Sequence, residues 1–117
     1  MKFMLTIYGD ASWYASASEA DMSADMAAYY DYDDATQAAG VQREGAALHP
    51  PETAKTVRIH GDERTVTDGP FAETKEVLGG YYVLECKDLD EAIEWAAKIP
   101  GAQNGTIEVR PVVNFDA

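Results

Sequence analysis

One cysteine, two histidines and nine lysines and arginines in 117 residues set the first limits on this chain. With Cys86 alone, no disulfide can form within the chain and no multi-cysteine metal site can be built. Cys86 lies in an apolar strand pattern, where a buried, inert thiol is the expectation rather than a nucleophile. Against the 9 basic residues stand 21 acidic ones, a formal charge of -12. Such a surface repels phosphate backbones and anionic lipid alike, so nucleic acid and membrane are disfavoured as partners. No apolar run is long enough to cross a bilayer, and residues 1–10 lack the longer apolar core and small-residue cleavage site of a secretory signal. A cytoplasmic location is the resulting expectation. The two histidines and the scattered carboxylates show no ligand spacing on any one element, so no metal and no cofactor are expected. Low-complexity tracts are absent too, and 46% apolar residues suffice for one core, so residues 1–117 read as a single domain.

What the chain does contain is periodic. Phe3, Leu5 and Ile7 alternate with Lys2, Met4, Thr6 and Tyr8, the pattern of a strand that Gly9-Asp10 ends. Residues 11–17, small and rich in serine, read as a loop or one loose turn. Ser18-Glu19-Ala20-Asp21 has the spacing of a capping box with Asp in place of Glu, so a helix starts near Glu19, and Gly40 ends it. Along that helix Met22, Met26, Tyr29, Asp33 and Thr36 recur at helical spacing. This stripe reads first as packing, with Tyr29, Tyr30 and Tyr32 as phenols able to line a pocket. Residues 41–48 form a second strand, weakened by Gly45 and closed by His49-Pro50-Pro51. Residues 56–60 and 64–67 flank Gly61-Asp62-Glu63 as a hairpin. The aromatic run of residues 80–86 is a central strand. Asp88-Leu89-Asp90-Glu91 is a second capping box, followed by Leu89, Ala92, Ile93, Ala96 and Ile99 on one helical face and by Pro100-Gly101 as the stop. Residues 106–112 make the last strand, with Ile107 and Val109 facing one way and Thr106, Glu108 and Arg110 the other.

The order is strand, helix, strand, inserted hairpin, strand, helix, strand: a ferredoxin-like α+β fold with an inserted β-hairpin. Two helices cover only one face of such a sheet. The other face carries Met4, Thr6, Tyr8, one of Tyr81 and Tyr82, and Glu108 with Arg110, a mixture apolar enough to require a partner.

The stretch from Thr67 to Tyr82 punctuates the chain most sharply. Gly69 precedes Pro70, whose fixed φ and missing amide hydrogen force a turn. Asp68 and Glu73 gather there with Lys75. The run Thr67-Asp68-Gly69-Pro70-Phe71-Ala72-Glu73-Thr74-Lys75-Glu76, followed by Gly79-Gly80-Tyr81-Tyr82, resembles the signature of the YCII-related proteins of the DGPF type. The likeness extends from Met1-Lys2-Phe3-Met4-Leu5 through Leu48-His49-Pro50-Pro51 to Glu108-Val109-Arg110-Pro111. The first helix departs from the pattern by carrying Thr36 where an apolar residue is usual. The resemblance implies a dimeric α+β barrel, two sheets facing each other across a homodimer, which supplies the partner that the open face requires. It implies two functions. Some relatives look like small enzymes of aromatic breakdown that use a His and Asp pair, whereas the DGPF branch is often encoded beside or fused to ECF sigma factors.

The expectation is therefore a homodimer that binds a small organic ligand, with lyase-like or dehydrochlorinase-like acid–base turnover by Asp68 and His49, since a carboxylate that orients an imidazole makes a competent base near neutral pH. Beside it stands the plainer reading, in which Asp68 caps its own turn and His49 ends a strand. Glu73, Lys75, Tyr81, Tyr82 and Arg110 are the expected ligand contacts. Glu73 with Lys75 reads otherwise as a surface pair, and Glu108 with Arg110 as an ion pair. The alternative to an enzyme is a non-catalytic regulatory module with a partner of the sigma-factor type.

Overall fold

Strict alternation along β1 (Lys2–Asp10) buries Phe3, Leu5 and Ile7 and leaves Lys2 and Met4 exposed. In the computed structural model, which describes residues 1–116, β1 pairs antiparallel with both β5 (Glu76–Glu85) and β6 (Thr106–Pro111). The outer side of β5 pairs antiparallel with β2 (Gln42–Ala47). The order β2-β5-β1-β6 is an open four-stranded sheet that does not close into a barrel among the described residues. Of the three α-helices, α2 (Glu19–Ala38) and α3 (Leu89–Ala97) lie on one face: Tyr32, Ala92 and Ala96 share a buried cluster with Phe3, Leu5, Tyr82 and Leu84. The fold is thus α+β. By register, Met4, Thr6, Tyr81, Val83, Glu108 and Arg110 point to the opposite face, which no helix covers.

Local chemistry accounts for the elements and for the departures from expectation. Residues 11–17, expected as a loop or one loose turn, carry a short helix, α1 (Ala11–Ser16), because Asp10 Oδ1 accepts hydrogen bonds from the Ser12 amide at 2.8 Å and its hydroxyl at 2.7 Å. The α2 capping box forms as read, with the Asp21 amide donating to Ser18 Oγ at 3.1 Å and the Ser18 amide to Asp21 Oδ2 at 3.2 Å. At α3 only half of the expected box forms. Asp88 accepts from the Glu91 amide at 2.9 Å, but Glu91 Oε1 takes its bond from the Lys87 amide at 2.7 Å. The apolar face of α3 is also rotated from the expected one. Ala92, Ala96 and Ile99 are buried and Trp95 packs on the core, while Leu89 and Ile93 are half-exposed. Thr36 is fully buried yet satisfied, its hydroxyl 2.6 Å from Gln42 Oε1. β5 starts at Glu76, earlier than the aromatic run suggests, because a register shift at Ile7/Tyr8 lets Leu78, Val77 and Glu76 continue the ladder against Tyr8, Gly9 and Asp10.

The inserted segment forms a separate two-stranded sheet of β3 (Lys55–His60) and β4 (Glu63–Asp68). Val57, Ile59 and Val66 share one face of it and are 58%, 67% and 53% exposed. Its base is tied by Gly69, whose amide donates to the Ala54 carbonyl at 2.8 Å and whose carbonyl accepts from the Thr56 hydroxyl at 2.7 Å. Gly69 makes both bonds at φ +92°, a conformation that L side chains rarely adopt.

Replacing Gly69 with Val is expected to cost about 1–3 kcal/mol of backbone strain. Because the hairpin packs little on the body, that cost is expected as faster amide exchange across β3 and β4, with exchange in β1 and β5 nearly unchanged. Unaltered exchange in the hairpin would show that the turn does not depend on this backbone.

Candidate functional site

A cleft of about 490 Å³ opens between the first half of α2 and the sheet. Its cause is a row of missing side chains. Across the helix-facing side of the sheet, Ile7 is level with Gly80, and Gly80 with Ala47; one row nearer the core, Leu5 is level with Tyr82, and Tyr82 with Gly45. With glycine and alanine beside Ile7, α2 has little to pack on there. Met22 and Met26, read as packing from the sequence, are 55% and 56% exposed and line the cleft instead of filling a core. The phenols sit where glycines give them room. A Cβ at Gly45 would lie 2.8 Å from the Tyr82 ring, one at Gly79 only 2.6 Å from Tyr14 Oη, and one at Gly101 only 2.7 Å from Tyr29 Oη.

Five aromatic rings line this cleft: Trp13, Tyr14, Tyr29, Tyr30 and Tyr82. Trp13 and Tyr14 stand at 89° with centroids 5.3 Å apart. Three of the phenols are raised above their ordinary range. Burial, then the charge of Asp25, pushes Tyr29 up to about 12; burial and then Asp25 also raise Tyr14. Tyr82 is raised by burial and by donating to Asp33 Oδ1 at 2.8 Å. The Gly101 amide donates to Tyr29 Oη at 3.2 Å, which fixes that ring. The charged residues of the lining are Asp25 and Asp33, both acidic. Asp25 is half-buried, and desolvation raises its carboxyl above the usual range. A second cleft of about 340 Å³ adjoins the first and shares Ile7, Trp13, Tyr14, Asp25 and Tyr29 with it.

The residues singled out from the sequence are dispersed. Tyr82 lines the main cleft. Tyr81, its neighbour, points the other way and donates to Glu44 Oε1 at 3.3 Å. Arg110 and Glu108 form the expected ion pair at 2.9 Å on the uncovered face. Asp68 is exposed at the hairpin base, and its carboxylate takes Lys55 as partner rather than capping its own turn. His49 is exposed in the link after β2. The segments that carry these two meet, because Pro50, Pro51, Pro70 and Glu73 line one cleft of about 280 Å³ with Tyr14. Lys75 does not pair with Glu73. Its carbonyl accepts from the Ala11 amide at 3.0 Å, and its charge helps hold the Asp10 carboxyl down, after the hydrogen bonds from Ser12. Cys86 is buried, and burial pushes its thiol up, as an inert cysteine requires. Among the described residues no group of three or more His, Cys, Asp or Glu side chains could hold a metal ion, and no helix is long and apolar enough to cross a membrane.

Trp13, Tyr14 and Asp25 escaped the sequence reading. The available signal was their bulk: Trp13 and Tyr14 are the two large side chains in a run otherwise of alanine and serine.

The raised carboxyl of Asp25 carries a sign that can be measured. Folding raises this pKa, so the group favours the folded state below the unfolded value, about 3.9, and loses that contribution as the pH rises through the folded value. At pH 7 the charged, desolvated carboxylate is a burden. Asp25→Asn is expected to raise the melting temperature at pH 7, with the advantage shrinking towards zero below about pH 4. A variant less stable than wild type at pH 7 would contradict this account.

Two likenesses place the chain among known proteins. A 72-residue stretch is 44% identical to an uncharacterized protein of Rhizobium meliloti (strain 1021), covering 60% of this chain and 58% of that one. The match thus spans little more than half of the length of that relative. The profile of the YCII-related domain matches residues 1–116. With its match running from the first strand to the C-terminal tail, the chain belongs to the YCII-related family.

Proposed function

We propose that this protein binds a small organic molecule in the cleft under α2, and that it does so as a homodimer. The observation that carries the reading is the cleft itself: about 490 Å³, five aromatic rings and two carboxylates, on a face where the sheet lacks side chains. Volumes of roughly 300–1,000 Å³ with an apolar, aromatic lining and a few polar groups are typical of small-molecule sites.

The strand order β2-β5-β1-β6, with helices after β1 and β5, supports a single ferredoxin-like domain with an inserted hairpin. Its uncovered face, with Met4 exposed and Tyr81 and Val83 beside it, supports a second copy packed there as a dimeric α+β barrel. A formal charge of -12 disfavours nucleic-acid partners, and a cytoplasmic location belongs to the same reading.

A second reading, acid–base turnover by Asp68 and His49, is favoured by the convergence of their chain segments on the cleft lined by Pro50, Pro70 and Glu73. It requires Asp68 to exchange Lys55 for the imidazole. A regulatory module acting on a protein partner would instead use the exposed apolar face of the hairpin.

The ligand reading is tested by a fragment screen on the wild type and on Ala47→Leu, which adds bulk to the cleft floor. Fragments that raise the wild-type melting temperature are expected to lose that effect in the variant. A screen without hits, or hits indifferent to Ala47→Leu, would remove the cleft as the site. Light scattering at low micromolar concentration is expected to give twice the chain mass; a folded monomer at that dilution would defeat the dimer. If turnover of any bound compound is found, Asp68→Asn is expected to abolish it while sparing the fold, because Asn keeps the shape and loses only the charge.

A further inference from the structure

The chemistry of the cleft selects among ligands by charge. Its lining contains no Lys, Arg or His, and its two ionisable acids are Asp25 and Asp33. Asp33 is already engaged, accepting from the Tyr82 hydroxyl at 2.8 Å. Asp25 lines the same cleft half-buried beside Tyr14 and Tyr29, and burial raises its carboxyl above the usual range. Around it the cleft presents the rings of Trp13, Tyr14, Tyr29 and Tyr30, with the first two perpendicular to each other.

An anionic ligand would enter against Asp25, within a molecule of formal charge -12. A neutral aromatic ligand would stack on the rings and return to Asp25 at most a hydrogen bond for the water it displaces, with no charge to balance the carboxylate. An organic cation gains from both parts of the lining. Ring faces attract it through their quadrupoles, and the carboxylate becomes its counter-ion. Bare metal ions do not suit the space, for no set of three ligating side chains exists among the described residues, and the volume is that of a molecule with an apolar body.

We propose that the cleft under α2 binds an organic ammonium ion with an apolar or aromatic body, with Asp25 as its counter-ion and Trp13, Tyr14, Tyr29 and Tyr30 as its aromatic cage. This rests on reading the cleft as a ligand site. It also gives the half-buried carboxylate a purpose, since the bound cation restores the stabilisation that the folded chain alone withholds from Asp25.

The test uses three probes of one size class: benzyltrimethylammonium, benzyl alcohol and phenylacetate, titrated calorimetrically into the full-length protein at physiological salt, where loose association with the acidic surface is screened. The cation is expected to bind at least about tenfold more tightly than either other probe. Asp25→Asn and Tyr30→Leu are each expected to weaken it about tenfold, the first while leaving benzyl alcohol unchanged. Circular dichroism confirms that both variants are folded. Benzyl alcohol or phenylacetate binding as tightly as the cation, with loss of binding in Ala47→Leu, would overturn the cation assignment and leave the ligand site standing. Cation binding indifferent to both Asp25→Asn and Tyr30→Leu would place it elsewhere on the acidic surface and overturn the proposal. Binding of none of the three, with an empty fragment screen, would remove the site and the assignment together.

Discussion

The molecule turns on a contact that is not made. Where Ile7, Gly80 and Ala47 lie level across the sheet, two of three positions bring no side chain beyond Cβ towards α2. Farther along α2 Tyr32 and Thr36 are buried, whereas Met22 and Met26 in its first half are exposed. The first half is left bridging a space. The site is built around that gap by the methionines that fail to bury, by the tyrosines that line it, and by Trp13 and Tyr14 of the short α1, which its own Asp10 cap sets in place.

The same gap explains a thermodynamic compromise. Tyr82 is buried and Tyr29 partly buried, both with satisfied oxygens, Tyr29 accepting from Gly101 and Tyr82 donating to Asp33, and such groups cost the fold little. Asp25 differs, because burial raises its carboxyl. Natural chains sit only a few kcal/mol above their threshold and tolerate destabilising groups, so a carboxylate of this kind marks a position where substitution can stabilise the fold. In a chain with twelve excess negative charges, a further carboxylate facing inward is hard to attribute to solubility, which the exposed acids already supply.

Much of the fold was legible because its signals are local and periodic. Alternation in residues 3–7 and the Ser18 to Asp21 spacing each determine an element through backbone chemistry nearby. The departures arose where a particular side-chain contact decides and residue spacing does not show it. The Asp10 side chain turned a serine-rich stretch into α1, and close packing of Ala92 and Ala96 against the sheet rotated α3 away from Leu89 and Ile93. Of the site, Tyr82 was visible as an aromatic in a central strand, but the cleft it lines was not. A glycine in a strand reads as weakness, and only the register shows that Gly80 and Gly45 lie level with Ile7 and Tyr82 under one helix. Asp68 drew attention through the turn that carries it, yet it is Gly69 that the turn requires, at φ +92°.

Strand β5 links the two faces on which the proposed activities lie. Successive residues of a strand point to opposite sides. Tyr82 therefore enters the cleft while Tyr81 reaches the uncovered face, where its hydroxyl meets Glu44 of the edge strand. Glu44 is followed by Gly45, whose missing side chain admits the Tyr82 ring. A shift of β2 along β5 by one residue would exchange these faces, setting Glu44 under α2 and a glycine beneath Tyr81. The register shift between Gln42 and Glu44 lies at this point of the ladder. Cleft shape and open-face chemistry are thus set by one strand pairing, so a second copy packed over Tyr81 and a ligand lodged beside Tyr82 would both favour the same register. By linkage, whatever each contributes to holding that register it also contributes to the affinity of the other.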